Sequence, residues 1–91
     1  MKKNWIIGVC CSDSDGVHLY NAVDVTSDEV KGILLSLVNE DKANDLETYD
    51  YGTTKIEEIT QDRFGYLYAY SVFADYHIDY SAKAIDEMEK I

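Results

Sequence analysis

The chain is poor in basic residues: 8 lysines and arginines against 18 acids in 91 residues, a net charge of −10. A field of that sign repels nucleic acid and membrane surfaces and attracts cationic protein surfaces. The balance therefore excludes direct nucleic-acid or membrane binding as the expected function. There is no proline and no Ser/Gly-rich stretch, and no internal repeat is present. Nothing marks a linker, so residues 1–91 read as one domain. No apolar run approaches the ~18 residues of a membrane helix. The run from Trp5 to Cys11, after Lys2 and Lys3, is too short for a signal peptide. Cysteine is scarce: only Cys10 and Cys11, which are adjacent. Neighbours on a strand point to opposite faces, so a bridge between them would be strained. Both are read as reduced, one in the core and one on the opposite face. This predicts a reducing, cytoplasmic setting.

What is present argues for a folded chain. Hydrophobic residues make up 46% of it, with eight Tyr, two Phe and Trp5, enough to offset the ordering entropy of a small core. Residues 5–11 form an apolar run of β formers that predicts a central strand buried on both faces. Gly8 inside it marks a bulge or a close approach. Ser12-Asp13-Ser14-Asp15-Gly16 is a turn cluster, and Asp-Gly between apolar runs is a hairpin signal. Residues 17–25 then give an antiparallel strand whose alternation slips near Asn21 to Val23, which predicts a bend.

Thr26 and Glu29 form a capping box. Val30, Ile33, Leu34, Leu37 and Val38 repeat with helical period, so the spacing predicts a helix from Ser27 to Ala43 or Asn44. Asp50-Tyr51-Gly52 reads as a turn, and Thr54 to Ile59 as a short helix with Ile56 and Ile59 inward. Residues 66–74 alternate Tyr66, Tyr68, Tyr70 and Val72 against Leu67, Ala69, Ser71 and Phe73. Residues 76–82 alternate again, as a fourth strand or as a continuation past a bulge at Ala74-Asp75. Ala84 to Ile91 reads as a short final helix. The fold class is α+β: an antiparallel sheet of three to four strands in β-β-α-β-β order, with one amphipathic helix on one face and the Tyr-rich rows on the other.

The acids are uneven. Residues 39–62 hold Glu40, Asp41, Asp45, Glu47, Asp50, Glu57, Glu58 and Asp62 against Lys42 and Lys55, a net of −6, while each flank nets −2. Glu40 and Asp41 stand in the last turn of the helix, where the dipole disfavours acids. The plain reading is a solvated helix end and loop. The functional reading is a decoy: carboxylates along a surface imitate phosphates and occupy a cationic nucleic-acid channel on another protein, with Tyr49 and Tyr51 as anchors. No catalytic residue, metal site or cofactor is assigned. Asp13-x-Asp15-Gly16 has the wrong spacing for an EF-hand loop, since His18 stands where the loop needs Gly. His77 and Asp79 share a strand face and form a pair suited to a general base. No nucleophile motif accompanies them. The tyrosine row lacks the basic groove of a single-strand platform. Two further readings follow: a homodimeric assembly module using the Tyr-rich face or a free sheet edge, and a small enzyme using His77.

At CCSDSDGV (10–17), LYAY (67–70) and DYHIDYSA (75–82) the chain resembles small acidic uncharacterised proteins of gut Firmicutes and their mobile elements. The resemblance implies a context of inhibitors of host defence, including anti-CRISPR and anti-restriction proteins that mimic DNA. It transfers no site residue.

Overall fold

The first hairpin follows from its turn chemistry. In the computed structural model, which describes residues 1–44, 51–52, 56–59 and 65–87, strand β1 (Lys3–Cys11) pairs antiparallel with β2 (His18–Val25). Gly16 takes φ of 91° in the connecting loop, a conformation that a residue without Cβ adopts freely. The Ser14 N–H closes the turn on the Cys11 carbonyl at 3.1 Å. The expected bend in β2 is a bulge at its far end. Lys3 faces Val25 while Trp5 faces Ala22, so β2 carries one extra residue there. Asp24 absorbs it with φ of 58°, and its N–H donates to Asn4 Oδ1 at 2.9 Å.

Helix α1 (Ser27–Asn44) starts at the capping box. The Thr26 N–H donates to Glu29 Oε1 and the Glu29 N–H to Thr26 Oγ1, each at 3.1 Å. The Thr26 N–H, and then its hydroxyl, favour the ionised form and hold the Glu29 carboxyl below its ordinary range. The predicted stripe faces the sheet: Val30, Leu34 and Val38 are buried, with Ile33 and Leu37 against the same core.

The sheet extends beyond the expected three to four strands. Its order is β2-β1-β6-β5-β3, with β4 also pairing β5, all antiparallel. Strand β3 (Tyr51–Gly52) and β4 (Glu57–Ile59) are two and three residues long, too short to carry a periodic signal. They correct two readings. Tyr51–Gly52 is a ladder segment opposite Val72 and Ser71, not a turn. Glu57–Ile59 is extended against Tyr68, Leu67 and Tyr66, not helical; Ile56 is buried, while Ile59 lies across from outward-facing Tyr66. The remainder of the expected 54–59 helix, Thr54 and Lys55, lies outside the described residues. Strands β5 (Tyr66–Val72) and β6 (His77–Ala84) are two strands of one hairpin, closed by the Phe73 N–H on the Tyr76 carbonyl at 2.9 Å. Of the expected final helix, Ala84 ends β6 and Ile85–Glu87 is a single 3-10 turn; residues 88–91 are outside the described set.

Because β6 returns beside β1, the inner sheet face gathers Trp5, Ile7, Leu67, Ala69, Tyr80, Ala82 and Ala84 under the helix. The small residues leave room for α1 to lie close, and Tyr80 is the largest fully buried side chain. Strand β1 is central but buried on one face only: Ile6 and Gly8 are half-buried and Cys10 is exposed. The expected core cysteine is corrected likewise, with Cys10 exposed and Cys11 half-buried. No described helix is long and apolar enough to cross a membrane.

Candidate partner-binding surface

The end of α1 and the β1–β2 loop meet over the inner face of β6. Between them lies a recess of about 430 Å³ with Val9, Leu37 and Ile78 in its wall and Asp15, Glu40 and Asp41 around it. The rings of His18 and Tyr20 stack in its side with centroids 5.5 Å apart. Asp13 is joined to the recess through Cys11, which lines it. It accepts a hydrogen bond from Cys11 Sγ at 2.8 Å. Partial burial, then this carboxylate, push the Cys11 thiol above its ordinary value, so it stays protonated and is a poor nucleophile.

Asp41 also serves the fold. Tyr80 donates its hydroxyl hydrogen to Asp41 Oδ2 at 2.5 Å. That hydrogen is its only one, so Ser71 Oγ, 2.9 Å away, donates to the tyrosine oxygen. The chain Ser71–Tyr80–Asp41 thus satisfies two buried hydroxyls and anchors the last turn of α1 to the sheet. Burial first, then the Asp41 carboxylate, raise the Tyr80 phenol well above its ordinary value. This explains an acid at a helix end that the dipole disfavours.

The predicted contact residues do not form one patch. Glu40 and Asp41 stand together at the recess. Glu58 is on the helix side and pairs with Lys31, which also lies 3.8 Å from Asp28. Glu57 is exposed on the opposite sheet face, across from Tyr68. Tyr51 is placed by its backbone in β3. Asp45, Glu47, Tyr49, Asp50 and Asp62 lie outside the described residues. Asp15, which completes the rim, and Asp13, bonded to Cys11 beside it, were readable only as turn formers. Their other signal is the hairpin, which carries the loop back toward the helix end.

The outer sheet face has its own polar cluster. Tyr66, Tyr68 and Tyr70 form a row with centroid spacings of 6.4 and 6.2 Å. Tyr68 donates to Asp79 Oδ1 at 2.5 Å, and His77 Nε2 lies 3.4 Å from Asp79 Oδ2. The His77–Asp79 juxtaposition expected from alternation is therefore present, on an open face. Among the described residues, no group of three or more His, Cys, Asp or Glu side chains is arranged to hold a metal ion. Compared with protein-family models, curated proteins and solved structures, the chain shows no match.

Proposed function

We propose that this protein is a small acidic binding protein that engages the cationic surface of another protein, without catalysis. The observation that carries the reading is the convergence of Asp15, Glu40 and Asp41 from two elements around one recess, with Asp13 bonded to Cys11 in its lining. Carboxylates held by a helix and a hairpin present fixed negative charge, as a run of phosphates does. The target that suits such a surface is a nucleic-acid-binding protein, and the resemblance to proteins of mobile elements favours one of host defence. Such an association is fast at low salt and weakens as salt rises.

The test is capture of bacterial proteins on the immobilised chain at about 50 mM and about 500 mM salt, followed by a competition assay. The expected result is a retained nucleic-acid-binding protein that releases DNA or RNA when this chain is added. The variant Asp13→Lys/Asp15→Lys/Glu40→Lys leaves the Asp41–Tyr80 bond in place and should lose that competition. Undiminished competition by the variant would overturn the reading.

A second reading, self-association through the outer sheet face, is favoured by Val17, Leu19 and Tyr66, which are exposed there. It predicts a dimer that persists in high salt and dissociates on Tyr68→Ala or Tyr70→Ala.

A further inference from the structure

Strand β2 ends the sheet on one side and pairs with β1 alone among the described strands. Seven large apolar side chains are exposed in the described chain, and four of them are Val17, Leu19, Tyr20 and Val23. Leu19 and Tyr20, at 65% and 45% exposure, are neighbours and so point to opposite faces. Their exposure belongs to an uncovered edge as well as to an uncovered face. An edge strand presents unpaired main-chain donors and acceptors, and proteins commonly blunt it with charge. From Gly16 to Val23 this edge has no charged residue. Its run ends at the Asp24 bulge, whose N–H is already taken by Asn4. His18 to Val23 is therefore a short, unprotected template for another strand.

Charge decides which strand fits. Exposed Asp13 and Asp15 precede the open run and exposed Asp24 follows it. Lys3, near the Asp24 end, lies 3.9 Å from Asp86. A second copy laid antiparallel would bring its own Asp24 toward Asp15 at both ends of the contact, between chains of net −10. A segment with an uncharged β-forming centre and Lys or Arg beyond each end meets opposite charge at both ends. We propose that β2 binds such a segment of the partner by strand addition, with main-chain bonds along His18–Val23 and the basic flanks at Asp13, Asp15 and Asp24. The proposal rests on the reading of a cationic partner and adds how part of it is held.

Three capped synthetic peptides test it. The first reads Lys-Arg-Thr-Val-Thr-Tyr-Thr-Val-Arg-Lys. The second has Glu at the four basic positions, and the third has Pro at both valines. Backbone NMR and a binding titration are the readouts. The first peptide should shift the amides of His18 to Val23. The second and third should each bind at least about ten-fold more weakly, through lost charge pairing and lost strand pairing. Equal binding of the proline peptide, shifts centred elsewhere, or no binding would overturn the proposal. So would a dimer in sedimentation whose β2 amides are protected before peptide is added, since a second copy then holds the edge. If the peptide fails while Asp13→Lys/Asp15→Lys/Glu40→Lys still abolishes competition, the edge proposal falls and the acidic-surface reading stands. If the peptide pairs with β2 and that variant competes undiminished, the acidic-surface reading falls instead.

Discussion

The two faces of the sheet carry the same bond in different surroundings. On the inner face Tyr80 donates to Asp41, and on the outer face Tyr68 donates to Asp79, each at 2.5 Å. Burial raises both phenols, helped in each case by the carboxylate. Tyr80 has no exposed surface, shares its oxygen with Ser71 and ties the sheet to a helix. Tyr68 is half-buried, and its bond joins two strands that are already paired. Such a bond matters by what it closes over and what it leaves behind when cut. Inside, a lost partner strands a buried polar group; outside, water replaces it.

Four experiments test this contrast. Tyr80→Ala removes the largest fully buried side chain among the described residues and should lower stability by about 3–5 kcal/mol in denaturant unfolding, as large aromatic truncations do. Tyr80→Phe keeps the ring and cuts only the hydroxyl chain. It should cost about 1–3 kcal/mol, because the Ser71 hydroxyl and the Asp41 carboxylate lose their buried partner. Alkaline titration comes next. A phenol whose folded value is raised stays neutral in the native state while the unfolded chain ionises. Stability is then whole below the ordinary tyrosine value of 10.0 and falls as pH rises above it. The fall should be shallower in Tyr80→Phe than in the parent protein. Tyr68→Phe should cost the least, under about 1 kcal/mol, since solvent reaches the outer face. An equal cost for Tyr68→Phe and Tyr80→Phe would erase the contrast.

The same contrast marks what was legible in the sequence. The helix was readable to its ends because Thr26, Glu29 and the Val30–Val38 stripe are local signals. The hairpin at Gly16 and the outward tyrosine row were readable for the same reason. Two kinds of feature were not. Strands β3 and β4 form only because β5 offers an edge, and two or three residues have no period of their own. The surface that the acids make depends on contacts across the chain. Asp41 and Tyr80 are 39 positions apart, and Asp15 meets the helix end at the recess only through the hairpin. Linear charge density pointed to residues 39–62 as one patch. Folding divides its described members among the recess, the Lys31 pair and the outer face, and adds Asp13 and Asp15 from elsewhere. Strand alternation predicted the His77–Asp79 pair, because i and i+2 share a face whatever the topology.

On the reading proposed above, the location of charge, rather than its total, makes the binding surface. Two variants of equal net charge test it directly. Asp13→Asn/Asp15→Asn/Glu40→Gln and Asp28→Asn/Glu57→Gln/Asp75→Asn each remove three exposed acids and move the net from −10 to −7. The measurement is the affinity of each for the captured cationic partner at low salt. The first variant should lose at least about ten-fold, worth roughly 1.4 kcal/mol, and the second should lose little. Equal losses in the two would mean that the recess is no site and that the acidity acts only as a diffuse field.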